Sequence, residues 1–175
     1  FIKKMLGIWI KKKDLHNTQP ILKKIQEFAD KGMTPKEIVL SGYEAFAEGN
    51  MAKLGALYHP ECRININGKH ALSGEYIGFD AFASEVLANL ETTWPGFNLE
   101  ITKVVAEGVD VCIFLKVTAN NLESYSIHHF VVEDGLETEF TIYDDSQRMA
   151  EAMMSIWIFR NIRFYTFKYL YCTSL

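Results

Sequence analysis

Cysteine is scarce in this sequence, and its three residues, Cys62, Cys112 and Cys172, stand far apart. An odd, scattered set with no C-x-x-C pair argues against a disulfide framework or a zinc finger. Free thiols in a reducing compartment, the cytoplasm, are the simplest account. The five histidines, His16, His59, His70, His128 and His129, form no H-x-x-x-H pair, so no metal site is expected. No run reaches the ~18 apolar residues that a membrane span needs, which excludes a transmembrane helix. Internal repeats and low-complexity tracts are missing. Positive charge is sparse in the middle: residues 33–154 hold seven basic against nineteen acidic residues. Phosphate contacts need Lys and Arg, so a nucleic-acid groove is not expected. Nothing in the sequence calls for a cofactor.

The two ends have a different texture. Residues 1–32 carry eight Lys against three acids, and residues 155–175 carry Arg160, Arg163 and Lys168 with no acid. The first stretch reads as a basic extension outside the domain, and the last as an aromatic-rich extension. The folded unit is expected at 33–154, a single domain in a chain of 175 residues.

Within that unit, Thr34-Pro35-Lys36-Glu37 reads as a helix start with a capping box and proline at the first turn. Ile38, Leu40, Tyr43, Phe46 and Ala47 continue it at roughly helical spacing. Gly49-Asn50 ends it. A second short helix is expected over 51–58, stopped by His59-Pro60. Residues 62–67 alternate Arg63, Asn65 and Asn67 with Ile64 and Ile66, the period of a strand. Residues 71–90 read as a loop feeding a helix. Trp94-Pro95-Gly96 breaks the chain. Strands are expected over 97–106, with Leu99, Ile101 and Val105 on one side, and over 111–119.

The strongest local signal is Ser124 to Asp145. Asp134-Gly135 stands between two runs of strand formers, which reads as a β-hairpin. Alternation puts Ser126, His128, Phe130 and Val132 on one face of the first strand. It puts Thr138, Phe140, Ile142 and Asp144 on one face of the second, with Glu137, Glu139 and Thr141 opposite and solvated. Residues 146–154 read as a closing helix. The order helix, helix, strand, helix and four strands is α+β, with helices on one face of a mixed, mostly antiparallel sheet.

Three motifs in register resemble one family. YEAFAEGNMAKLGALYHPECRIN, LSGEYIGFDAFASEVLANL and FVVEDGLETEFTIYDDSQRMAEAM are similar to the opening helices, the third helix and the closing hairpin of SnoaL-like and ketosteroid isomerase-like proteins. The resemblance spans about residues 34–154. It implies the cone fold of nuclear transport factor two. There a curved sheet wraps a long helix around a deep apolar pocket, often in a homodimer. The steroid-isomerase catalytic set does not carry over. Ile66 falls where those enzymes hold their basic aspartate, Gly42 where they hold the helix-one tyrosine, and His128 where they hold the second oxyanion acid. Thr141 stands where a related arginine of epoxide hydrolase-like members often falls.

The groups that remain support proton transfer beside a carbonyl. His128 is the candidate general base, Asp144 a residue to orient it, and Tyr43 a hydrogen-bond donor to an oxyanion. Ile64, Ile66, Trp94 and Phe97 are candidate ligand-binding residues. So are Ser126, Phe130, Phe140 and Ile142. The expected ligand is a small apolar molecule, and the expected activity that of a cofactor-free isomerase or cyclase-type lyase. A non-catalytic module that dimerises or docks a partner stays open beside it. A pocket of ~300 Å3 or more that exposes His128 favours the first reading; a plugged pocket with His128 bonded to backbone favours the second.

Overall fold

A computed structural model describes residues 32–153. The basic and aromatic extensions expected at 1–32 and 155–175 fall outside these residues, apart from Gly32.

Helix α1, Pro35–Ala47, starts as its sequence dictates. The Thr34 side chain accepts from the Glu37 N–H, the Glu37 carboxylate accepts from the Thr34 N–H at 2.7 Å, and Pro35 occupies the first turn. Its buried face carries Ile38, Val39, Gly42 and Ala45. Helix α2, Met51–Gly55, is capped by the Asn50 side chain and is shorter than expected. The chain is already a strand at Tyr58, so His59-Pro60 lies inside β1, Tyr58–Ile66, instead of ending a helix. The loop expected after residue 71 contains a four-residue strand, β2, Gly74–Ile77. Helix α3, Gly78–Glu85, follows, then a 3-10 turn at Leu87–Asn89 and a short helix α4, Leu90–Thr93. Strands β3, Asn98–Glu107, β4, Asp110–Ala119, β5, Leu122–Glu133, and β6, Leu136–Asp144, come next. Residues 146–153 form helix α5.

The six strands make one curved sheet in the order β2-β1-β6-β5-β4-β3. Only β1 and β6 run parallel; every other pair is antiparallel. The β5–β6 turn is the two-residue Asp134-Gly135, with φ of 50° and 80°, the left-handed pair that a tight hairpin needs. The concave face packs on the helices. Val111, Ile113, Leu115 and Val117 of β4 point into it and are buried, as are Ser126, His128, Phe130 and Val132 of β5. Each buried aliphatic or aromatic side chain contributes about 1.5–3 kcal/mol, so this face holds the domain together.

Two bulges break the alternation. In β3 the register shifts between Ile101 and Lys103. The inward series therefore passes from Leu99 to Val104, and Val105, expected on the same side as Leu99, is 45 % exposed. In the hairpin, Val131 pairs with Glu139 but Val132 pairs with Glu137. Thr138 is the extra residue. The expectation that Glu137 is solvated is therefore corrected: it faces inward beside Val132 and is 1 % exposed. Glu139 keeps to the outer face and pairs with Arg63 of β1.

Candidate functional site

The cone encloses a cavity of about 100 Å3 between the concave sheet, α1 and the segment from α3 to Phe97. Its wall is mostly aromatic and aliphatic. The rings of Phe130 and Phe140 stack at 4.2 Å, and Phe82 meets Phe140 edge-on at 5.7 Å. Phe46, Leu90 and Phe97 are half-buried parts of the lining, whereas Trp94 is buried and donates its indole N–H to the Met149 carbonyl of α5 at 3.1 Å.

Tyr43, Ile66, Trp94 and Phe97 all line the cavity, as do Ser126, His128, Phe130, Phe140, Ile142 and Asp144. Ile64 does not. It is 1 % exposed and belongs to the core, so its place among the ligand-binding residues is corrected. The expected coupling of His128 to Asp144 is also corrected. On β5 and β6, His128 stands opposite Ile142, and Asp144 opposite Ser126. Each takes another partner.

The partner of His128 is Tyr43, whose hydroxyl lies 2.6 Å from Nδ1. Burial raises the Tyr43 hydroxyl well above its ordinary range, with the Glu137 carboxylate pushing the same way, so the phenol keeps its proton. Burial lowers His128 to about 3, which leaves the ring neutral. The Tyr43 hydroxyl has no other acceptor among the described residues, so its proton is satisfied by donating to Nδ1, which puts the ring proton on Nε2. Nε2 makes no hydrogen bond among the described residues. A histidine held this far below neutrality is a weak base. In this tautomer it offers an N–H donor to the cavity rather than a strong base.

Asp144 takes its partner from the loop after β1. His70 donates Nε2–H to Asp144 Oδ2 at 3.0 Å, and both side chains are almost wholly buried. Its other nitrogen, Nδ1, accepts the Leu72 N–H at 3.3 Å, and its ring meets Trp94 edge-on. His70 lines the cavity and carried no signal in the sequence, where it stands in a Gly- and Ser-containing loop.

Glu137 is the other group that alternation missed. It lines the cavity near Tyr58 and Tyr43, and its Oε2 has no partner among the described residues. Burial pushes its carboxyl up to about 8, with the Tyr58 hydroxyl pulling the other way. Gly42 of α1 packs beside it: a Cβ at that position would stand 3.7 Å from Glu137 Oε1, an ordinary contact, and 3.3 Å from the Leu57 side chain. Burial pushes the thiol of the neighbouring Cys62 up to about 12, which disfavours the reactive thiolate. Among the described residues no cluster of three metal-ligating side chains occurs.

Comparison with known proteins agrees with the fold. The model of the SnoaL-like domain family matches residues 39–140. An NTF2-like protein of Burkholderia thailandensis E264 superposes with a TM-score of 0.64 at 22% identity, over 69% of this chain and 98% of that one. TerC, solved in co-crystals with polyporic acid, gives 0.62 at 22% identity, over 69% and 99%. A putative ketosteroid isomerase of Kribbella flavida DSM 17836 gives 0.53 at 15% identity, over 63% and 76%. At these identities the likeness concerns the fold. No curated protein matches the chain.

Proposed function

The chain belongs to the SnoaL-like domain family, and on that premise we propose that its cavity binds one small, largely apolar molecule bearing a carbonyl-type oxygen and moves a proton on it without a cofactor. The observation that carries this reading is Glu137, a buried carboxyl pushed up to about 8, in the same apolar cavity as the neutral, N–H-donating His128. A carboxyl in that range exists in both protonation states near neutral pH, which suits a group that takes a proton and returns it. The carboxylate of Glu137 removes a proton from the carbon beside the carbonyl. The electron pair moves onto the carbonyl oxygen, which accepts the hydrogen bond from His128 Nε2. Glu137 then returns the proton to carbon. Tyr43 holds His128 in the tautomer that donates. The class is that of an isomerase or cyclase-type lyase. At about 100 Å3 the cavity falls below the ~300 Å3 of drug-sized sites and suits one ring, or the buried end of a longer molecule. The co-crystals of TerC with polyporic acid support a small-molecule role for this cone. The free thiols Cys62 and Cys112 fit the cytoplasm.

Native mass spectrometry of the protein isolated from its own source tests this reading. A retained small molecule that is lost from a Gly42→Phe variant, whose ring fills the cavity, is the expected result. A stripped mass in every preparation, with no ligand taken up from a panel of single-ring carbonyl compounds, contradicts it.

A second reading concerns the convex face of the sheet. Tyr125 and Tyr143 are 66 % and 52 % exposed, and they stand near the half-buried Cys112, Phe114 and Ile127. An apolar strand face needs a cover, and the proposed cover is the same face of a second copy, giving a homodimer.

A further inference from the structure

Among the described residues, the end of the cavity around Asp144 offers acceptors and no donor. His70 gives its Nε2–H to Asp144 Oδ2 and accepts the Leu72 N–H on Nδ1. A neutral imidazole has one proton, so none is left for a ligand. Ser126 lines the cavity and donates its hydroxyl proton to the Tyr143 carbonyl at 3.1 Å, which leaves it only lone pairs to offer a ligand. Asp144 Oδ1 has no partner among the described residues, although the side chain is 4 % exposed. The His70 bond holds the carboxyl, and Asn67 grips the backbone of Asp144 twice. The Asp144 N–H donates to Asn67 Oδ1 at 3.1 Å, and Asn67 Nδ2 donates to the Asp144 carbonyl at 3.3 Å. Among the described residues no lysine or arginine lines the cavity. A buried carboxyl oxygen without a donor is costly, and a donor on an incoming molecule removes that cost.

We infer that Asp144 and Ser126 form an acceptor-only subsite for a hydrogen-bond donor, a hydroxyl or an amine, on the same molecule whose carbonyl-type oxygen meets His128. The inference rests on the reading of the cavity given above. Ser126 and His128 are two residues apart on one face of β5, about 7 Å along the strand. A single aromatic ring with a carbonyl group and a donor at opposite positions spans that distance. The aromatic wall fits such a ring, and the ligand class is a para-hydroxy or para-amino aryl carbonyl compound.

Isothermal titration calorimetry of the full chain with 4-hydroxyacetophenone, 4-aminoacetophenone and 4-methoxyacetophenone reads the subsite. At least one of the two donors should bind about tenfold more tightly than the methoxy compound, the effect of one hydrogen bond. The ranking of hydroxyl against amine tells which donor the subsite takes. Asp144→Asn should invert the preference. His70 still presents Nε2–H, so the amide oxygen must turn to it and the NH2 group faces the cavity, where it favours the methoxy acceptor. Methoxy binding as tight as both donors in the native chain overturns the subsite and leaves the cavity reading standing. Failure of all three compounds to bind overturns the cavity reading itself. Should Asp144→Asn not fold, the ranking in the native chain decides the matter alone.

Discussion

Tyr43 and His128, 85 positions apart in the chain, meet with the phenol oxygen 2.6 Å from the imidazole Nδ1. The contact ties α1 to the middle of β5 across the cavity wall and fixes which ring nitrogen carries the proton. Tyr43→Phe leaves Nδ1 buried without a donor. It should destabilise the domain by about 1–3 kcal/mol in urea denaturation, the cost of orphaning a buried acceptor. An unchanged midpoint would mean that the bond contributes nothing.

His128 and its chain neighbour give an internal control. His128→Ala should weaken binding of a carbonyl ligand by about 1–3 kcal/mol. His129 points to the other face, where it pairs with Asp110 at 2.7 Å, and His129→Ala should leave binding unchanged. The reverse pattern in calorimetry would place the ligand on the wrong side of the sheet.

Stability should depend on pH through two buried groups of opposite sign. Glu137 rises from 4.5 to about 8 on folding, so the folded state holds its proton more tightly. Its contribution is complete below pH 4.5 and is lost as pH rises through 8. His128 falls from 6.5 to about 3, so its contribution is complete above pH 6.5 and is lost as pH falls through 3. Together they give a plateau between 4.5 and 6.5. Glu137→Gln should remove the alkaline decline, which is on the order of a few kcal/mol between pH 5 and 9. Parallel stability curves for the native and variant chains over that range would contradict the burial of this carboxyl.

The proposed homodimer is testable on the convex face. Tyr125→Asp and Ile127→Asp should convert a dimer to a monomer in light scattering at micromolar concentration while the circular dichroism spectrum stays the same. A native chain that is already monomeric there contradicts this reading of the face.

The charge shift at both edges of residues 33–154 predicts that this stretch folds alone. A truncated chain of those residues should be soluble and melt in one cooperative transition. An unfolded truncated chain beside a folded full chain would show that the ends belong to the domain.

Much of the concave face was legible in the sequence because β5 alternates without interruption from Leu122 to Val132. That regularity placed Ser126, His128 and Phe130 correctly. The same rule failed one turn later. The bulge at Thr138 has no glycine or proline to announce it, so Glu137 read as solvated. His70 was hidden for a different reason: its role depends on a contact with Asp144, 74 residues away, and loop sequence carries no trace of such a pairing. The four residues of β2 are too few for a periodicity to show. Ile64 alternates correctly but lies behind the cavity wall, a depth that strand period does not encode.

A bulge turns the carboxyl of Glu137 into an apolar cavity, and burial there pushes it up to about 8. Carbon-13 NMR of the Glu137 carboxyl across pH tests this most directly, with Glu137→Gln identifying the signal. A midpoint near 8 is the predicted result, and a midpoint near 4.5, the value of a solvated glutamate, would contradict it.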